Sequence, residues 1–259
     1  MGRRRRVNSV SSINRKHAEG RGCGSLDSYK PAIYTYEIPS RGKVARVRGH
    51  TTNRVHHVLS QLEKLVLILL DYDQSVSDIR EQKPLCLEDT LLIAAENNIR
   101  HPYADQCPVE MTTDFYYCKN GVWHAAAIKE SSELENKRVR EKLKIEEIYW
   151  TKKGVPWRIV TEKDIPLDKV HNLEWLHSGE PITDILPDKS YLKDLSEAFC
   201  SVYQDPHISF SDIVNTIQTY CKLPRGSVLQ LFKHLALTGR IRLNLSEPIN
   251  IADPRIKMR

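Results

Sequence analysis

The strongest constraint on the fold is a pair of β-rich runs joined across one short turn. Met111–Tyr117 and Trp123–Lys129 flank Lys119-Asn120-Gly121, and Asn-Gly is the signal of a tight hairpin loop. The first run carries Asp114, although aspartate is depleted in strand interiors. The second run ends on Lys129, fifteen residues later, so the hairpin sets the two side by side. A third charge, Glu63, opens a helix over Ser60–Leu70 with Leu62, Leu65, Val66 and Leu69 on one face. A carboxylate and a lysine on neighbouring strands, beside a helical glutamate, can hold Mg²⁺ against a phosphodiester. Oxygen ligands suit that hard cation, and the metal can polarise the phosphate and acidify a water.

Each member of this set also has a plainer reading. Ser60-x-x-Glu63 is a capping-box pattern, a role that does not exclude facing a neighbouring sheet. Asp114 is equally a strand-edge or turn residue, and Lys129 a solvated strand end. Lys142–Trp150 is charged and amphipathic, as a solvated helix face would be; Glu146 within it could instead point at the same centre. Arg80-Glu81-Gln82 forms a further polar cluster at the end of an apolar strand.

Around this centre the sequence predicts a two-domain α/β chain. Residues 1–16 are Ser/Arg-rich and expected to be disordered. Residues 17–176 form the first domain. It has strands at Ile33–Ile38, Lys43–Arg48, Val76–Gln82 and Pro156–Thr161, and helices at Glu88–Asn98 and Glu133–Lys152. Pro166, Pro181 and Pro187 break the pattern and mark the boundary. Residues 177–259 then carry helices near 189–203, 209–221 and 225–238. An alternating run follows at Arg240–Leu245. Three helices and a two-stranded hairpin predict a winged helix.

Charge is distributed unevenly. Residues 1–57 hold 13 Lys/Arg against 3 Asp/Glu, whereas the whole chain is only +6. Such a head suits nucleic acid, where cations displace condensed counterions. Arg3–Arg6 alone are equally a solvated tail. Among interleaved glycines and aromatics, Arg21, Arg41, Lys43, Arg46, Arg48 and Arg54 are candidate phosphate contacts. The longest apolar run, Leu65–Leu70, is far too short for a membrane span. No apolar segment follows the charged N-terminus as a secretory signal would. Six cysteines without a CxxC pair predict reduced thiols in a cytosolic protein, with neither a disulfide frame nor a zinc site.

Several segments together resemble the TnsA-type transposon-end endonucleases: Glu19-Gly20-Arg21-Gly22, Gly42 through Ser60, Asp78-Ile79-Arg80-Glu81-Gln82, Thr112-Thr113-Asp114-Phe115, Ile128-Lys129 and Tyr149-Trp150. The block Arg54–Glu63 joined with Asp78–Gln82 is the specific part. The resemblance implies a restriction endonuclease-like fold of the PD-(D/E)XK class. It also implies Mg²⁺-dependent cutting of the 5′ strands at transposon ends in the bacterial cytoplasm, with Mn²⁺ as a substitute. A TnsB-type transposase would handle the 3′ ends, and a TnsC-type ATPase would dock on the C-terminal module. Carried over, Glu63 and Asp114 bind metal and Lys129 assists the water or the charged transition state. Glu146 and Asp73 align with acids near the site. One departure is Ala127, two residues before the lysine, where such nucleases carry an acid or amide; the backbone carbonyl of Ile128 is then the available ligand. Two other readings stay open: a DNA-binding adaptor without catalysis, and a stand-alone restriction or repair nuclease.

Overall fold

The computed structural model describes residues 10–38, 44–104, 106–179, 181–205, 207–249 and 251. Its contacts divide the chain into two compact units, one ending at Ile165 and one beginning at Pro166. The expected boundary lay eleven residues later, so residues 166–176, expected in the first domain, belong to the second unit.

The first unit begins with helix α1 (Val10–Ala18), a hairpin of β1 (Ala45–Arg48) and β2 (Val55–Val58), and helix α2 (Gln61–Tyr72). β3 (Val76–Pro84), α3 (Leu87–Glu96) and a small ladder of β4 (Tyr103–Ala104) and β5 (Cys107–Pro108) follow. β6 (Thr112–Lys119), β7 (Val122–Ile128), α4 (Lys137–Lys152) and β8 (Trp157–Val160) complete it. The main sheet has the order β3-β6-β7-β8, antiparallel except for the parallel β7–β8 pair. A parallel pair needs a crossover, and α4 supplies it. At the β6–β7 turn Asn120 and Gly121 both have positive φ (51° and 76°), as a type I′ loop requires.

α2 is apolar nearly all round, with Leu62, Val66, Leu67 and Ile68 buried, so it lies within the unit rather than on it. α4 packs through Ile145, Tyr149 and Trp150 against Leu85, Ile93 and Ala125. Trp150 stacks on Tyr116, which stacks on Trp123, with ring centroids 4.9 and 4.5 Å apart. These layers fix the open end of the β6–β7 hairpin, where Asp114 and Lys129 lie.

Three expectations for this unit need correction, and one strand was missed. Residues 10–16, expected to be disordered, belong to α1, which buries Ser12, Ile13 and Lys16. Residues 1–9 lie outside the described set. Ile33–Ile38 is not a strand: Glu37 turns back to accept from the Tyr34 N–H at 2.9 Å, closing a 3-10 turn over Thr35–Glu37. The long helix from Glu133 is broken, because the Asn136 side chain accepts from the Arg138 N–H at 2.8 Å and starts α4 afresh. Strand β2, rich in histidine, was not anticipated.

The second unit contains α5 (Leu167–Leu176), α6 (Ile182–Ile185), α7 (Lys189–Tyr203), α8 (Phe210–Tyr220) and α9 (Ser227–Leu237). Ser209 caps α8 and Asp188 caps α7 through their side-chain oxygens. Phe199, Phe210, Leu231, Phe232 and Leu235 form the core. The last three helices match expectation, but the wing does not. Arg240–Leu245 forms no strand among the described residues. Ile241 and Leu245 are buried instead, and Asn172 on α5 donates to the carbonyls of Leu245 (2.9 Å) and Glu247 (2.8 Å) and accepts from the Ile249 N–H (3.0 Å). One asparagine thus satisfies backbone groups that a partner strand would otherwise take.

Candidate active site

Glu63 occupies the third position of α2, where the Ser60 half of the expected capping box forms and the glutamate takes the Leu59 N–H instead of that of Ser60. Ser60 Oγ accepts from the Glu63 N–H at 3.1 Å and donates to Glu63 Oε1 at 3.0 Å, while the Leu59 N–H reaches Oε2 at 2.9 Å. The same Oε2 also accepts from Gln82 Nε2 at 3.3 Å, and that amide lies 3.5 Å from Asp114 Oδ1. Capping and a place at the sheet are therefore both filled by one side chain.

Asp114 and Lys129 meet as the hairpin predicts. Asp114 Oδ2 accepts from the Ile128 N–H at 2.7 Å and from Lys129 Nζ at 3.1 Å. Lys129 Nζ also donates to the Ile128 carbonyl at 2.7 Å. Glu146, buried on α4, accepts from Thr113 Oγ1 and from Trp157 Nε1 (3.1 Å). A cleft of about 640 Å³ is lined by Asp114, Lys129 and Glu146, with Lys16 and Lys142 on its walls. Neither of those two lysines stood out in the sequence.

The electrostatics follow from crowding acids in a dry place. Burial, then the Asp114 charge, pushes Glu63 up to about 7. The same two causes push Glu146 up to about 7. Burial opposes the Lys129 ammonium, but Asp114 beside it more than offsets this and carries its pKa above the usual lysine value. Two carboxylates and a backbone carbonyl are hard oxygen donors, and their excess negative charge suits a divalent cation. Oxygen donors of this kind, at Glu63, Asp114 and Ile128, are those a hard divalent cation takes.

Comparison with known proteins decides the family. Residues 73–162 match the model for the N-terminal part of TnsA-like endonucleases, and residues 164–245 match that for the TnsA endonuclease C-terminal part. The transposon Tn7 transposition protein TnsA of Escherichia coli is 43% identical over 243 residues, covering 92% of this chain and 87% of that protein. The chain belongs to the TnsA endonuclease family. Asp114, Lys129 and Glu146 fall inside the first matched segment, and Glu63 precedes it. The second matched segment nearly coincides with the second unit.

Within this TnsA-family chain the basic candidates separate into two groups. Arg54, expected to face phosphate, is 7% exposed and forks onto Glu81 at 2.8 and 2.5 Å, with Ile79 and Leu26 carbonyls taking further N–H groups. Glu81 also accepts from the His57 N–H (3.0 Å) and lies 2.8 Å from His56 Nδ1. Burial opposes the Glu81 charge, but His56 and Arg54 hold its pKa far below the carboxylate range. Arg21, 6% exposed, pairs with Glu19 (2.7 Å) and Glu37 (2.5 Å). Both guanidiniums are turned inward, so neither is offered to phosphate.

Arg46 and Arg48 alternate onto the exposed side of β1. Arg41 and Lys43 lie outside the described residues. Asp73, aligned with an acid near the family's site, sits beyond the far end of α2 and pairs with Lys119 at 2.8 Å. Ten residues of helix place it roughly 15 Å from Glu63, so it braces the β3–β6 end rather than the site. Among the described residues no helix is long and apolar enough to cross a membrane.

Proposed function

We propose that this chain is the Mg²⁺-dependent endonuclease that cuts the 5′ strands at transposon ends, working with a TnsB-type transposase and a TnsC-type ATPase. The observation that carries the reading is Asp114, held by the Ile128 N–H and Lys129 Nζ while facing the amide that also reaches Glu63. Bound there, Mg²⁺ supplies a polarised phosphate and a water of lowered pKa. Glu63, Asp114 and the Ile128 carbonyl hold it. Lys129, aimed by Asp114 and Ile128, neutralises charge that develops on the phosphate. Glu146, fixed by Thr113 and Trp157, can hold or release a proton near neutral pH. Lys142, Arg46 and Arg48 meet the DNA backbone, and the helical second unit serves assembly with the ATPase. The restriction endonuclease-like class is the best description of the β3-β6-β7-β8 core with α2 and α4.

The test is a 5′-strand cleavage assay on transposon-end DNA with the purified partners. Wild type cuts with Mg²⁺ and Asp114→Asn does not, although it stays folded. Metal-independent or unaffected cutting refutes the assignment. No Mg²⁺-dependent cutting in the complete system supports the adaptor reading, and full activity without partners the stand-alone one.

A further inference from the structure

The sheet register places three residues in one row across three strands. Glu81 pairs with Phe115 and Lys83 with Thr113, which sets Gln82 opposite Asp114. Phe115 pairs with Ala126, which sets Ala127 on the other side of Asp114. At position 127 the row offers only a buried methyl. At position 82 it offers an amide.

That amide is held by more than its place in the strand. Gln82 is buried and adopts φ 47°, a left-handed conformation that costs a non-glycine residue on the order of 1 kcal/mol or more. Its Nε2 lies 3.3 Å from Glu63 Oε2 and 3.5 Å from Asp114 Oδ1, bridging two of the residues assigned to the metal. Its Oε1 accepts from the Thr112 hydroxyl at 3.0 Å. A hydroxyl donates and accepts equally well. Turning the amide over therefore exchanges NH₂ for a carbonyl oxygen beside the carboxylates and still leaves Thr112 bonded.

We propose that Gln82 is the neutral oxygen ligand of this centre, taking from strand β3 the part that Ala127 cannot play on β7. This rests on the metal-dependent nuclease reading above. Without the cation, its NH₂ bridges the two carboxylates. With the cation, its Oε1 joins the donor set of Glu63, Asp114 and the Ile128 carbonyl. Thr112 is the pivot, a positioning residue.

The experiment is calorimetric titration of the full chain with Mn²⁺ alone at pH 8, alongside melting curves. Gln82→Gly accepts the positive φ without strain, so it removes the amide and keeps the strand. It should weaken Mn²⁺ binding by roughly tenfold or more, the scale of loss for groups that support a metal. Gln82→Glu should bind at least as tightly as wild type, and Ala127→Gln in the Gln82→Gly background should recover affinity. If Gln82→Gly binds Mn²⁺ as tightly as wild type, or more tightly because a competing donor is gone, the inference falls and the nuclease reading stands. If wild type shows no Mn²⁺ site that Asp114→Ala removes, both fall together.

Discussion

Replacing Glu63 by glutamine separates the two jobs of that side chain. Glutamine can keep these contacts at the helix start, because its carbonyl can accept from the Leu59 N–H and its NH₂ can donate to Ser60 Oγ. What it removes is a buried charge. The folded Glu63 titrates at about 7 against an ordinary 4.5, so between those values the folded state holds a proton the unfolded chain has lost. Metal-free stability therefore falls as pH rises through that window. The gap corresponds to roughly 3 kcal/mol at pH 8, or about 6 °C or more in melting temperature for a chain of this size. Metal-free Glu63→Gln should thus melt several degrees above wild type at pH 8 and close to it at pH 5. Added Mg²⁺ should reverse the order at pH 8, since binding stabilises the wild type, and the variant should cut no DNA. Scanning calorimetry at the two pH values, with and without Mg²⁺, is the assay. An equal or lower melting temperature for the metal-free variant at pH 8 would refute the argument that burial raises this carboxylate.

Arg54→Ala strands Glu81 without its fork, and breaking a buried pair in this way should cost about 3–5 kcal/mol by denaturant unfolding; a loss under about 1 kcal/mol would return Arg54 to the surface. Replacing both Arg46 and Arg48 by alanine should lower the log–log salt slope of DNA binding by about two units, and an unchanged slope would move the DNA path elsewhere. Mn²⁺ affinity should fall roughly tenfold from pH 8 to pH 6, because Glu63, raised to about 7, takes up a proton on acidification and must lose it again to bind. A flat profile would put a different group in the site.

Local signals in the sequence were legible because their causes are local. The Asn-Gly turn, the Ser60 cap and the apolar face of α2 each depend on residues close in sequence, and the turn sufficed to bring Asp114 beside Lys129. What stayed hidden depends on partners far along the chain. Arg54 counts as a phosphate contact until Glu81, 27 residues on, is seen to accept from both ends of its guanidinium fork. Arg21 is likewise absorbed by Glu37, 16 residues away. The alternation at Arg240–Leu245 is a real apolar pattern, but Asn172, 73 residues before Leu245, claims its backbone. Gln82 stood out only as one polar residue among three; its importance comes from a register across two other strands.

The neighbours Glu81 and Gln82 on β3 impose a limit on how the gene can change. Glu81 ties strand β2 down through Arg54, His56 and the His57 N–H, while the next residue reaches Glu63 and Asp114. A codon gained or lost between Val76 and Glu81 slides the strand by one residue, and a one-residue slip exchanges environments. A gained codon would land the Glu81 carboxylate against two other carboxylates; a lost one would leave Arg54 facing the Gln82 amide and a lysine between the acids. Both the anchoring of the basic hairpin and the metal site would fail in one event. Length variation in this part of the chain therefore belongs in the connections before β1 and after α3, and the Glu-Gln dipeptide can be inherited only as a pair.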